Sequence, residues 1–213
     1  TVTDSQDGLI DSSGIALTGL WHPQLDIDCR QELTATIPKQ FEAISEAEEI
    51  TSTVTKNIRT VRFRFNHPLA SLNFVAGPYV VEQAPIGPGQ TLYSYFFKED
   101  RELAAEYRRK TIAYLKRYQE LIGPYPYKRF SIVENRLPTG YAMPTFTLLG
   151  QTVVRLPFIT ETSLGHEALH SWFGNSVGVD PAHGNWCEGL TTYLADQAFA
   201  ADAKTDAAFR KQQ

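Results

Sequence analysis

His166-Glu167-Ala168-Leu169-His170 places two imidazoles four positions apart, with a carboxylate directly after the first. On a helix, residues i and i+4 leave the same face about one turn apart, so both rings can reach a single cation. Glu167 can then address a water on that cation, which is the donor pattern of a zinc hydrolase. Zinc that keeps one position open for water needs a third protein ligand. Glu188, eighteen positions past His170, is the candidate. It sits in Asn185-Trp186-Cys187-Glu188-Gly189-Leu190, ahead of a helix-compatible run over 191–198. The same residues could instead be a pair of core histidines and a surface glutamate. Three donors at this spacing favour the metal site.

Other residues with ligand or nucleophile chemistry read differently. Cys187 adjoins Glu188, but consecutive helical residues point about 100° apart, so the two do not share one ion. The two cysteines, Cys29 and Cys187, show no spacing that argues for a disulfide. His22, in Trp21-His22-Pro23, and His67, before Pro68 in a turn, read as structural. His183, in the loop before Glu188, is an outer candidate for the cleft. Asn185 or Asp196 could orient a histidine from behind, although each reads more simply as a cap or helix-surface residue.

Ser163-Leu164-Gly165-His166-Glu167-Ala168-Leu169-His170-Ser171-Trp172-Phe173-Gly174-Asn175, followed by Trp186-Cys187-Glu188-Gly189 and Tyr193, resembles the gluzincin zinc aminopeptidases of the alanyl and leukotriene-hydrolase type. The resemblance is weaker before about residue 120. It implies Zn2+ on His166, His170 and Glu188, with Glu167 as general base and acid and a peptide as substrate. Three departures matter. Between His170 and Glu188 the chain is one residue shorter than the family, either in the loop 177–185 or where W-L-N-E-G becomes Trp186-Cys187-Glu188-Gly189. The family's G-x-M-E-N strand, whose glutamate grips the substrate amine, corresponds to Gly140-Tyr141-Ala142-Met143-Pro144-Thr145, with Pro144 in the glutamate's place. Proline offers neither charge nor N–H, which leaves Glu134 or a group outside this chain as the amine anchor. The family's oxyanion-stabilising tyrosine lies beyond the third ligand, in a helical lobe past Gln213. The chain therefore reads as a fragment.

These residues imply a zinc-dependent peptidase, aminopeptidase-like. Two alternatives stay open: an endopeptidase without free-amine recognition, and a catalytically silent metal- or peptide-binding relative. Gly140, Tyr141, Ala142 and Met143 are the candidate substrate-binding residues. Tyr141 could also offer a phenol donor.

The elements that must position these groups follow from hydrophobic period. Period-two patterning over 33–37, 51–55, 60–65 and 72–81 predicts strands, the last a strand or a strand pair. Residues 84–90, rich in Pro and Gly, read as a linker. Further strands are expected at 91–97, 129–134, 146–150 and 152–154. A long amphipathic helix over 99–122 carries Leu103, Tyr107, Thr111, Tyr114, Tyr118 and Ile122 as a core seam, with Arg108, Arg109, Lys110, Lys116 and Arg117 as its solvated face. Thr162 or Ser163 would cap the metal helix. The expected class is α+β. Residues 1–85 read as part of an all-β domain and 86–213 as the N-terminal part of an α+β domain; the family resemblance implies that the first is saddle-like and the second thermolysin-like, without its C-terminal helical lobe.

Composition agrees with a folded chain: 213 residues, 42% hydrophobic and 21% charged. A net charge of −4 gives no basic footprint for nucleic acid. No apolar run approaches a membrane span. Compartment and oligomeric state are left open.

Overall fold

The period-two stretches become strands because each can bury one face and leave the other to solvent. The computed structural model describes residues 8–24, 27–69 and 71–212. The first seven residues of the expected β portion, and Gln213, lie outside the described residues. Seven strands come first: β1 (Gly8–Asp11), β2 (Gly14–Leu17), β3 (Glu32–Pro38), β4 (Glu42–Ile44), β5 (Glu49–Thr55), β6 (Ile58–Arg64) and β7 (Phe74–Gly77). β3-β6-β5 form an antiparallel sheet in which β6 buries Val61 and Phe63 and exposes Arg62 and Arg64. A four-stranded sheet, β1-β2-β7-β4, lies across a core of Ile37, Phe41, Phe63, Phe65 and Phe74. β1, β2 and β4 are three or four residues long, too short to show a period in sequence.

The second layer is a mixed sheet of β8 (Tyr79–Gly87), β9 (Gln90–Phe97), β10 (Arg129–Asn135), β11 (Gly140–Met143) and β12 (Phe146–Gly150), in the order β11-β12-β10-β9-β8. β9, β10 and β12 run parallel, with β8 and β11 antiparallel at the two edges. Both faces are covered. Leu92, Phe96, Phe130, Ile132 and Leu149 meet the helices, while Tyr95, Phe97, Val133, Phe146 and Leu148 meet Ile44 and Val75 of the four-stranded sheet. Every residue of β10 and β12 is therefore buried, as continuous apolar strands of a covered parallel sheet require.

The expected linker at 84–90 is instead a β-hairpin. Pro85 pairs with Thr91 and Gly87 with Gln90, with a register shift between Pro85 and Gly87. β8 is an edge strand, so the missing proline N–H leaves no ladder bond unmade. Gly89, at φ +71, closes the turn. The changeover between sheets falls at Pro78, and a division at 85/86 would cut this hairpin.

A 3₁₀ turn, Arg101–Leu103, leads into α1 (Ala104–Leu121). Tyr107, Thr111, Tyr114 and Tyr118 form its buried seam as expected, joined by Ala104 and Leu115. Ile122 is exposed, because it falls beyond the last turn. The expected solvated face is only partly solvated: Arg108 pairs with Glu82 and Lys110 with Glu161, each cation mostly covered. The chain continues through α2 (Gln151–Val154), the 3₁₀ turn Ile159–Glu161, α3 (Ser163–Leu169), α4 (Cys187–Thr192), a π-turn at Tyr193–Gln197, α5 (Ala198–Asp202) and α6 (Asp206–Gln212). The strand expected at 152–154 is thus a single helical turn. Gly150 ends β12 where a Cβ would lie 2.8 Å from both Leu137 O and Thr139 N, and the turn that follows aims Val154 into the core. Among the described residues no helix is long and apolar enough to cross a membrane.

The tyrosine seam does more than fill volume. Tyr107 donates to Val154 O at 3.0 Å, Tyr114 to Thr160 O at 2.7 Å and Tyr118 to Gly165 O at 3.0 Å. One helix face therefore holds three successive segments of the chain that carries the paired histidines. Buried phenols require such partners. Replacing any one of these tyrosines with phenylalanine should cost about 0.5–1.5 kcal/mol in denaturant unfolding. A neutral result for all three would show that the seam works through apolar contact alone.

Candidate metal centre

α3 is short, and its start is fixed by backbone rather than by a side-chain cap. Thr162 occupies the cap position as expected, and its carbonyl accepts from Gly165 N and His166 N at 3.1 and 3.4 Å. Its hydroxyl turns back to Phe158 O at 2.9 Å instead of capping the helix. Gly165 lets the helix approach its neighbours, since a Cβ there would lie 2.5 Å from the Phe199 ring. His166 and His170 leave one face, with ring centroids 4.9 Å apart.

The structure brings Glu188, in the first turn of α4, to these two rings. Its carboxylate oxygens lie 3.3 Å from His166 Nε2 and 3.5 Å from His170 Nε2. One ligand atom from each of the three residues falls within 4.8 Å of the others. Tetrahedral coordination with bonds of about 2.0–2.1 Å separates neighbouring ligand atoms by about 3.3 Å. The spacing therefore fits one small divalent ion. The far nitrogens are already committed. His166 Nδ1 meets Asp196 Oδ2 at 2.8 Å and His170 Nδ1 meets Phe173 O at 3.0 Å. Both acceptors place the ring proton on Nδ1 and leave the Nε2 lone pair facing Glu188. Glu188 is 62% exposed, so the fourth side of the group stays open.

Electrostatics follow from burial and these contacts. Burial pulls the His166 pKa down, but the Asp196 hydrogen bond and the charges of Asp196, Glu167 and Glu188 outweigh it and raise the value. Burial pushes the Glu167 carboxyl above the usual range. Both imidazoles oppose that shift, and Glu188 and Asp196 reinforce it.

An open cleft of about 460 Å³ runs past the group. His166, Glu167, His170 and Glu188 form one wall, and Gly140, Tyr141, Ala142 and Met143 of β11 the other. β11 is the outer strand of its sheet, so its free edge can receive an extended chain. Tyr141 is about half exposed. A second cavity, of about 690 Å³, shares Ala142, Met143, Gly174 and Asn175 with this cleft and carries Asp28, Glu46 and Glu48.

Several expectations change. Glu134 is fully buried behind β10, with Phe97 N on its Oε2 at 2.7 Å, and does not line the cleft. Asp196, partly buried, orients His166 rather than merely decorating a helix surface. The π-turn at Tyr193–Gln197 carries it to His166, and such turns recur at functional sites. An acid inside an otherwise uncharged run after Glu188 was the available signal. Asn185 neither caps α4, whose cap position is Trp186, nor reaches a histidine; it closes the turn before the helix, its Oδ1 accepting from Cys187 N at 3.1 Å. Cys187 lies behind His170, its Sγ 3.5 Å from Nδ1, and both cysteines are free. His183 is exposed and paired with Asp180, outside the cleft. His22 bridges Pro23 O and Leu72 N as a structural residue, and His67 rests edge-on against Tyr127. Sequence reasoning missed Gly174, which is at φ +96 and where a Cβ would lie 3.0 Å from Cys187 Sγ.

No protein-family model matches the chain. It is 28% identical over 166 residues to leukotriene A-4 hydrolase of Xenopus laevis, a match covering 75% of this chain and 27% of that protein. It is 27% identical over 184 residues to leucine aminopeptidase 2 of Emericella nidulans, covering 83% and 29%. Among solved structures, native yeast LTA4 hydrolase superposes with a TM-score of 0.60 at 22% identity, covering 84% of this chain and 28% of that one. An M1 zinc metallopeptidase from Deinococcus radiodurans gives 0.57 at 22% identity, covering 83% and 42%. The chain is thus related to leukotriene A-4 hydrolase and the leucine aminopeptidases and shares its fold with M1 zinc metallopeptidases. It spans less than a third of the length of these curated relatives.

Asp196→Asn should weaken Zn2+ affinity about 10–100-fold in chelator competition, because the histidine loses its charged partner. Asn185→Ala should leave that affinity unchanged.

Proposed function

We propose that the protein is a zinc-dependent peptidase of the aminopeptidase type. The observation that carries this reading is the convergence of His166 Nε2, His170 Nε2 and the Glu188 carboxylate, with both Nδ1 atoms turned away onto acceptors. His166, His170 and Glu188 would hold Zn2+. When bound, the ion supplies a Lewis acid that brings the pKa of water towards neutrality and polarises a carbonyl oxygen. Glu167, on the cleft wall beside these ligands, takes the proton from the attacking water and returns it to the leaving amine. Asp196 and the Phe173 carbonyl keep the rings oriented through that exchange. The free edge of β11 aligns an extended peptide through main-chain hydrogen bonds, with Tyr141 beside the scissile bond.

On this reading β1 to β7 are part of a saddle-like domain, and the chain from β8 onward is the N-terminal part of a thermolysin-like domain. The names of the leucine aminopeptidase relatives support the aminopeptidase assignment. Pro144 favours a second reading, an endopeptidase, because it puts no carboxylate where an amine anchor is expected. The acids that border the cleft's continuation are Asp28, Glu46 and Glu48; Glu46 is held by Asn73 and Glu48 by His67, which leaves Asp28 to meet an ammonium.

Glu167→Gln in the full-length protein should keep its zinc and lose about 10²- to 10⁴-fold in kcat on peptide substrates. Wild-type turnover in that variant would overturn the mechanism. Peptides with free N-termini should be cleaved and their acetylated counterparts spared, whereas equal cleavage of both would select the endopeptidase.

A further inference from the structure

Glu134 is a fully buried carboxyl that the metal centre does not use. It leaves β10 on the face that carries Ile132, toward the start of α1. Its Oε2 accepts from Phe97 N at 2.7 Å, while its Oε1 is buried without a hydrogen-bond partner. The side chains of Asp100, just before the 3₁₀ turn, and Gln151 lie beside it. From α2 and its C-terminal end, Gln151 Nε2 donates to Asp100 Oδ2 at 2.9 Å, and Arg155 holds Asp100 through Nε at 2.9 Å and Nη2 at 2.7 Å. Arg136 is paired with Glu99 at 2.8 Å, its guanidinium 3.5 Å from the Phe97 ring centroid. Tyr79 of β8 donates its hydroxyl to the Glu134 carbonyl at 2.7 Å, and Tyr107 of α1 also faces the group.

The charges do not balance with Glu134 ionised. Arg155 is committed to Asp100 and Arg136 to Glu99, so a third carboxylate would have no cation of its own. It would also stand against the Asp100 charge with one buried oxygen unpaired. Like charges in contact at a buried site do not both ionise. A proton on Glu134 Oε1 answers each problem, because it removes the charge and gives the orphaned oxygen a hydrogen to donate, with the Asp100 carboxylate as the neighbouring acceptor.

We propose that Glu134 keeps its proton through mildly acidic pH and donates it to the Asp100 carboxylate, forming a clasp that fastens β10 to the starts of α1 and α2 and opens as pH rises through neutrality. Burial foremost, opposed by Phe97 N–H and reinforced by Asp100, pushes the Glu134 carboxyl up to about 7. The Arg155 hydrogen bonds hold Asp100 below the usual carboxylate range. The folded state therefore keeps a proton that the unfolded chain releases near its ordinary carboxylate pKa. Stability falls as pH rises through that window and levels off above the folded pKa. Residues 136–139 lead from this clasp into β11, so its opening loosens the cleft wall.

Glutamine copies the neutral acid, with an oxygen for Phe97 N–H and an N–H for Asp100. In the full-length protein, Glu134→Gln should melt with wild type at about pH 4 and several degrees above it at about pH 8.5. Equal destabilisation at both pH values would mean that an ionised Glu134 stabilises the fold, and would overturn the proposal. Should the variant's melting be masked by other parts of the protein, the wild-type-minus-variant infrared spectrum decides. It should contain a protonated-carboxyl C=O band at about pH 6 that is lost by about pH 9. A carboxylate band at both pH values refutes the clasp.

Discussion

The placement of three lone-pair donors around one common point is the constraint on which the rest of this structure depends. Two imidazoles come close for nothing, because adjacent helical turns supply them. The carboxylate has to be brought back by the intervening chain. Gly174 in the left-handed region and the backbone turns from His170 to Val177 lead the chain back toward Glu188, whose carboxylate lies within 3.5 Å of both rings. Among the described residues the Glu188 carboxylate meets these two rings, whereas each Nδ1 has its own acceptor. A donor set with its proton-bearing nitrogens occupied and its lone pairs converging is organised for a cation.

α3 could not hold that arrangement alone, since a seven-residue helix is unstable in isolation. It is held by the tyrosine face of α1, whose phenols reach backbone carbonyls at Val154, Thr160 and Gly165. α1 in turn rests on a sheet covered on both faces, so the strand facing the metal group is fixed through β12 and β10 to the centre of the molecule. Exposed pairs such as Arg109–Glu106 and Arg64–Glu32 contribute little to this. The partly buried Arg155–Asp100 contact, at the point where α1, α2 and β10 meet, is better placed to matter.

Much of this was legible in the sequence because it rests on local period and spacing. His166, His170 and Glu188 announce themselves by type and separation, and β3, β5, β6, β9, β10 and α1 by hydrophobic repeat. What escaped depends on tertiary context. The Pro/Gly stretch before β9 looks like a linker until its partner strand is known, since an edge position is what makes Pro85 harmless. Val153 and Val154 favour strand locally, but the end of β12 at Gly150 forces a turn. Asp196 reaches His166 only through a π-turn that no propensity marks, and Arg108 and Lys110 find carboxylates on segments distant in sequence.

Crystals of the full-length protein, measured at the zinc absorption edge, test the central claim most directly. The account predicts one anomalous peak at about 2.0–2.2 Å from His166 Nε2, His170 Nε2 and a Glu188 oxygen, with no sulfur ligand. A peak bound instead through Cys187 at about 2.3 Å, or no ion between the two imidazoles at saturating zinc, would contradict it.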